Sequence, residues 1–324
     1  MRMKKTLMVV LILTLVMGTL LTGCAQDAPT PVEPEGFSEP IVIGTLNGPT
    51  GMGMVGLMDQ TEKYDITAYQ APDEIAGKII TGELDMACLP SNMASVLYNK
   101  TEGAVVVVSV NTLGVLYIVE NGTQTVASVE DLAGKTLYGS GKGAGPEYIL
   151  QELLDAAGVT DVNIQWMANH SDAASSCMAN EGSLALLPEP FVTVVGSKNE
   201  AIHVAIDLNA SWAEVTGVDL PMGVIIAQKS FVEERGDDIA VFLADYRKSV
   251  DFVNTSEDAG QAIADWGFIE DPIVAQKAIP NSNIVLYDED FGATKTMLEA
   301  YFQVLFKMNP ASLGGAMPDE NFYY

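Results

Sequence analysis

The stretch IVIGTLNGPTGMG (41–53), with the segments that echo it downstream, decides the fold. Ile41–Leu46 is apolar and rich in β-branched residues, which predicts a buried strand. The Gly-rich turn Asn47–Gly53 follows, and a short helix runs toward Asp59. The same alternation continues. Tyr64–Gln70 reads as a strand. Pro72–Gly82 reads as a helix punctuated by proline at its start and glycine at its end. Leu84–Leu89 is a strand, Ser91 caps a helix over Asn92–Lys100, and Ala104–Val110 is apolar throughout, as a strand covered on both faces should be. Strands alternating with helical patterns predict α/β layers built on parallel sheets.

Leu116–Val119 reads as a strand crossing out of this first set, after which the alternation restarts. It runs through a helix at Ser128–Ala133, a strand at Lys135–Gly139, a helix at Gly145–Ala157 and a strand at Val162–Met167. A helix at Asp172–Asn180, a strand at Leu184–Leu187, a helix from Phe191 and a strand at Ile202–Ile206 complete it. Gly223–Gln228 is a second crossing strand, and Ile239–Asn254, Glu257–Trp266 and Thr294–Lys307 are helical. The expectation is two α/β lobes: 40–115 plus 230–324, and 120–220, with hinges near 116–119 and 223–229.

Upstream, Arg2, Lys4 and Lys5 precede an apolar run, Thr6–Leu21, and the small-residue exit Leu21-Thr22-Gly23-Cys24. This is the pattern of a secretory signal over residues 1–23. An uncleaved anchor helix is the alternative, although the run falls short of the ~20 apolar residues a span needs. The exit resembles the bacterial lipobox. That resemblance implies cleavage before Cys24, diacylation of its thiol and anchoring at the extracytoplasmic face of the cell membrane, where two acyl chains hold stably and one does not. Residues 24–39, with prolines and acids and little to bury, read as a flexible tether.

Without the three leader cations, the 16 Lys and Arg of the chain become 13 against 43 Asp and Glu. Such a surface excludes nucleic acid as a partner, since phosphate contacts need a basic face. It favours a soluble monomer through repulsion between neighbours. Cys88 and Cys177 lie in apolar or helical stretches and are expected to be buried free thiols. Two histidines and these cysteines, dispersed along the chain, have neither triad nor metal-ligand spacing, so no cofactor and no metal are expected.

Four stretches carry a family resemblance: Ile41–Leu46 with its Gly-rich turn, Gly82-Glu83-Leu84-Asp85, the segment Val129–Thr136, and Ala185–Phe191 with its Leu187-Pro188-Glu189-Pro190 core. Together they resemble solute-binding proteins of the nitrate, sulfonate and taurine type, including those for pyrimidine thiamin precursors. The resemblance covers nearly the whole chain past residue 40. It implies a periplasmic-binding-protein-like type II clam-shell with two crossing hinge strands, closing on a small molecule and docking to the permease subunits of an ABC importer. The Cys-rich motif of the pyrimidine-synthesising relatives is missing here.

In open α/β sheets, ligands bind beyond the carboxyl ends of strands. On the first lobe this selects Asn47, Thr50, Gly51 and Met52 in the Gly-rich turn, Gln70 after the second strand, Ser91 and Asn92 after the third, and Asn111 and Thr112 after the fourth. On the second lobe it selects Ser140, Lys142 and Gly143 in a Gly-rich loop that departs from the phosphate-binding patterns. It also selects Asn169 beside His170, and Glu189 between two prolines. For most of these an ordinary structural role competes: Ser91 as a helix cap, Glu189 as a helix N-terminal acid, His170 as a satisfied structural group. Carboxylates and sulfonates are commonly gripped by bidentate Arg. Arg235 and Arg247 sit in the late helical part, away from every such loop, which favours a neutral or cationic solute, with a nitrogen heterocycle among the options. Met52 and Met222 would suit an aromatic or apolar one. Two further readings stay open: an enzyme on the same fold, with Glu189 and His170 as acid and base, and a sensor reporting to a membrane signalling protein.

Overall fold

The computed structural model describes residues 37–287 and 291–324. The leader, Cys24 and the tether up to residue 36 lie outside the described residues. Among the described residues no helix is long and apolar enough to cross a membrane.

Two sheets organise the rest. The first contains β1 (Ile41–Leu46), β2 (Tyr64–Tyr69), β3 (Met86–Pro90), β4 (Val105–Thr112), β10 (Gly223–Gln228) and β11 (Ile284–Tyr287), in the order β11-β4-β10-β3-β1-β2. The second contains β5 (Leu116–Asn121), β6 (Thr136–Gly139), β7 (Asn163–Trp166), β8 (Leu184–Pro188) and β9 (Ile202–Asp207), in the order β7-β6-β8-β5-β9. Between them the helices are α1 (Pro49–Met52), α2 (Pro72–Thr81), α3 (Ser91–Lys100), α4 (Gly145–Ala157), α5 (His170–Ala179), α6 (Phe191–Lys198), α7 (Leu208–Thr216), α8 (Lys229–Thr255), α9 (Ala259–Asp265), α10 (Pro272–Ala278) and α11 (Phe291–Met308).

The expected two-lobed α/β clam-shell is present, with one correction to the strand pattern: neither sheet is purely parallel. β10 runs antiparallel between β3 and β4, and β5 runs antiparallel between β8 and β9. The two strands read as crossings are therefore interior strands, one in each sheet. The chain passes between the sheets at residues 113–115 and 217–222. Sequence could not separate these options, because an apolar run such as Gly223–Gln228 suits a crossing and a sheet centre equally. β5 and β10 also stand in equivalent places, so the lobes repeat one plan: second, first and third strands, the antiparallel visitor, then the fourth.

Local punctuation places the strand ends. Pro at the first turn and a left-handed Gly at the end bound both α2 (Gly82, φ 77°) and α4 (Gly158, φ 70°). α8 is longer than Ile239–Asn254 because a kink at Arg235 (φ −132°, ψ 35°) joins an extra N-terminal segment to it. One hydrophobic cluster takes in residues of both lobes, Leu89, Val110 and Val224 with Leu137, Leu150 and Trp212, together with Tyr301 and Phe302 of α11. The rings of Trp212 and Tyr301 lie edge to face with centroids 5.9 Å apart. Separate clusters cover the other faces, with α8 against the first sheet and α5 and α6 against the second. Cys88 and Cys177 are buried and unbridged.

Candidate functional site

Strands β1, β3 and β4 share a direction, so their carboxyl ends gather at one edge of the first lobe. Gly48, at φ 114°, turns the chain out of β1, and its carbonyl accepts the amides of Gly51 and Met52 at 3.0 Å each. The Thr50 carbonyl accepts Asn111 Nδ2 at 3.2 Å, and Thr112 Oγ1 donates to Asn111 Oδ1 at 3.3 Å. Gly223 completes the group: a Cβ there would stand 2.6 Å from Thr50 Cγ2 and 2.8 Å from Asn111 Oδ1. Ser91 is buried; its hydroxyl donates to the Pro221 carbonyl at 2.7 Å and its amide to that of Met222 at 3.1 Å. Thr50, Ser91, Asn111 and Thr112 thus converge around the second crossing. Asn47 is half-buried beside them, its amide bonded to the Tyr69 carbonyl, and Gln70 is exposed. Met52 is fully buried in the core beneath the sheet, and Asn92 Nδ2 reaches the Ser312 carbonyl at 3.5 Å, toward the C-terminal turn.

On the second lobe, β6, β7 and β8 share a direction and end together. Buried Ser140 lies 2.5 Å from Nδ1 of His170, whose ring stands 5.4 Å from that of Phe191. Glu189 is also buried, and its carboxylate accepts Thr193 N at 3.2 Å, Thr193 Oγ1 at 2.9 Å and Asn281 Nδ2 at 3.2 Å. Burial pushes its pKa above the ordinary carboxylate range, although these bonds favour the charged form. Burial likewise lowers that of His170. Lys142 and Gly143 are exposed; the Gly143 amide donates to Glu147 and its carbonyl accepts Tyr148 Oη at 2.8 Å, which ties the loop to its own helix. Asn169 caps α5 through the Asp172 amide at 2.9 Å.

The lobes touch at a polar seam. Tyr117 Oη donates to the Asn281 carbonyl at 2.8 Å, and Asn283 Nδ2 donates to the Gly114 carbonyl at 2.5 Å. Asn281 also reaches Glu189, as above. A hollow of about 290 Å³ opens here, lined by Thr193, His203, Lys277 and Asn281 among others. Among the described residues no group of His, Cys, Asp and Glu could hold a metal.

A family model described as NMT1/THI5 like matches residues 63–258, from just before β2 to just past α8. The chain belongs to the NMT1/THI5-like family. Solved structures share its fold along most of its length. An ABC transporter protein from Parabacteroides distasonis is 18% identical with a TM-score of 0.75, covering 88% of this chain and 98% of that one. The periplasmic aliphatic sulphonate binding protein of Escherichia coli is 15% identical with a TM-score of 0.67, over 87% and 94%. A sulfonate ABC transporter periplasmic protein from Methylobacillus flagellatus is 16% identical with a TM-score of 0.63, over 89% and 92%. No curated protein sequence matches the chain.

Within this NMT1/THI5-like chain, Tyr117, Phe191, Asn281 and Asn283 join the site without a sequence signal for it, and His170 stands beside them. Tyr117 looked like one more apolar strand residue. Pro280-Asn281-Ser282-Asn283 carries no sequence motif, although Asn283 stands at φ 44°, a left-handed conformation that Asn tolerates in constrained loops. Chemically, the two edges offer hydrogen-bond donors and acceptors with one aromatic face. The described residues give the Ser140–His170 pair no third hydrogen-bonding group: the His170 ring makes no other hydrogen bond among them.

Proposed function

We propose that this chain is the substrate-binding lipoprotein of an ABC importer, held outside the membrane through Cys24, which captures a small neutral or cationic solute between its lobes and hands it to the permease. The observation that carries this reading is the paired plan: two like sheets whose carboxyl edges both bear polar side chains, joined by two short crossings about which they can close. Family membership and the shared fold with ABC-transporter proteins support it. Several fold relatives are named for sulfonates, yet the edges here lack the guanidinium such ligands favour. Arg235 instead bonds Asp238 at 2.6 Å and the Glu39 carbonyl at 2.7 Å, beside the kink of α8.

A thermal-shift screen against heterocycles, amines, sulfonates and vitamins tests the solute class. A true ligand far above its dissociation constant adds a few kcal/mol of stability. A sulfonate or carboxylate hit sinks the charge assignment. Closure is tested by solution scattering with and without that hit: superimposable profiles would remove the clam-shell mechanism.

A further inference from the structure

His170 opens α5 just after β7, and Ser140 directly follows β6. Sheet order sets β6 between β7 and β8, so the 2.5 Å contact between Ser140 Oγ and His170 Nδ1 spans two neighbouring strand ends. Phe191, just past β8, adds its ring at 47° to the imidazole. Three adjacent strands each contribute one side chain to a single cluster.

The cluster fixes where the imidazole proton sits. Ser140 is 2% exposed, and Nδ1 is the one acceptor its hydroxyl meets among the described residues. A buried O–H needs an acceptor. Were Nδ1 the donor, the hydroxyl hydrogen would have nowhere to go, so Ser140 donates, Nδ1 accepts, and the proton resides on Nε2. The imidazolium is disfavoured by burial and by the positive end of a helix that is 10 residues long. Nε2–H, in turn, makes no hydrogen bond among the described residues.

We infer that His170 is a specificity-determining donor of the second-lobe edge, and that the solute is an uncharged planar ring carrying a hydrogen-bond acceptor, laid against Phe191. This rests on the solute-binding reading and narrows it. An acceptor facing Nε2–H at this half-buried edge is worth up to about tenfold in affinity. Ring-to-ring contact rewards a planar ligand over a puckered one of the same polarity.

The chain has two histidines, so ¹⁵N-histidine labelling gives two imidazole signal sets, which His170→Gln assigns. At neutral pH the expected spectrum shows His170 protonated at Nε2 and bare at Nδ1, with Ser140→Ala turning it into a tautomer mixture. A protonated Nδ1 overturns the inference. 2-Pyridone and 2-piperidone then serve as probes, since both present adjacent N–H and C=O groups and one of them is planar. 2-Pyridone should move the His170 nitrogens, leave those of His203 in place, and bind severalfold more tightly than 2-piperidone. Phe191→Leu should erode that preference, and Ser140→Ala should weaken both probes alike, each variant being checked for folding by circular dichroism. Equal binding of the two probes, or a His170 signal that 2-pyridone does not move, defeats the proposal. If a different class of compound raises the thermal midpoint while the His170 nitrogens stay put, solute binding survives and this assignment falls.

Discussion

Pro90-Ser91 at the end of β3 and Pro188-Glu189 at the end of β8 stand in matching places. In each lobe the residue after the proline donates its amide to a carbonyl just ahead of the antiparallel visitor: Ser91 to Met222 at 3.1 Å, Glu189 to Val115 at 3.0 Å. The side chains diverge from there. The Ser91 hydroxyl is committed to Pro221, while Glu189 holds a carboxylate at the seam. The same split recurs among buried acids. In the first lobe Asp245 is met by Lys63 at 2.9 Å, Lys248 at 2.7 Å and Tyr64 at 3.0 Å. Among the described residues Glu189 has neutral donors alone. One strand plan thus supports a first edge that is neutral and internally satisfied, and a second edge where titratable groups collect. Topology sets where the strand-end groups stand, and the residue at each strand end sets what they can do.

The largest test asks whether the lobes are separable at all. Trp212 is fully buried in the cluster they share, so Trp212→Ala should cost about 3–5 kcal/mol within a single urea transition. A separate, early transition would show that the lobes unfold independently. Next comes the pair of acids. Burial opposes ionisation of Asp245, but the bonds from Lys248, Lys63 and Tyr64 outweigh it and hold the pKa below the ordinary range. Asp245→Asn should therefore cost about 1.5–3 kcal/mol near neutral pH. That loss fades as pH falls through the depressed pKa, where the unsubstituted chain protonates too.

Glu189 should give the opposite trend. Between the ordinary carboxylate pKa and its raised value, the folded chain keeps a proton the unfolded chain has lost, so stability falls as pH rises. Glu189→Gln removes that fall, and its stability relative to the unsubstituted chain should climb over the same interval. Parallel pH profiles for the two variants would erase the distinction between the lobes. The smallest effect is expected at exposed Lys142: Lys142→Ala should shift stability by less than about 0.5 kcal/mol and leave affinity for 2-pyridone unchanged. A tenfold loss there would add a working charge to the second edge.

The fold was legible wherever apolar pattern and punctuation agreed. Gly145–Ala157 matches its helix end to end because Pro146 and Gly158 bracket it, and the run from Ala104 needed no periodicity to read as buried. Leu208–Thr216 escaped because only Leu208 and Trp212 bury, too thin a stripe to register, although Asp207 caps it. Ile284–Tyr287 is a four-residue edge strand, short enough to pass for loop. At the site, chain order exposes which residues follow strands. It hides which of them turn inward, as with Met52 in the core, and which contacts arrive from distant segments, as Asn281 does at Glu189.

The placement of β10 also sets an order of assembly. Every strand of the second sheet falls between residues 116 and 207, so that sheet can close from one continuous stretch. The first sheet has a gap between β3 and β4 until residue 223 has been made, more than a hundred residues after β4. Until then two apolar strands present inner edges with unpaired backbone groups, the kind of surface that recruits other chains. Whatever shields a half-made or half-exported chain therefore has the first lobe to guard, while the second can look after itself.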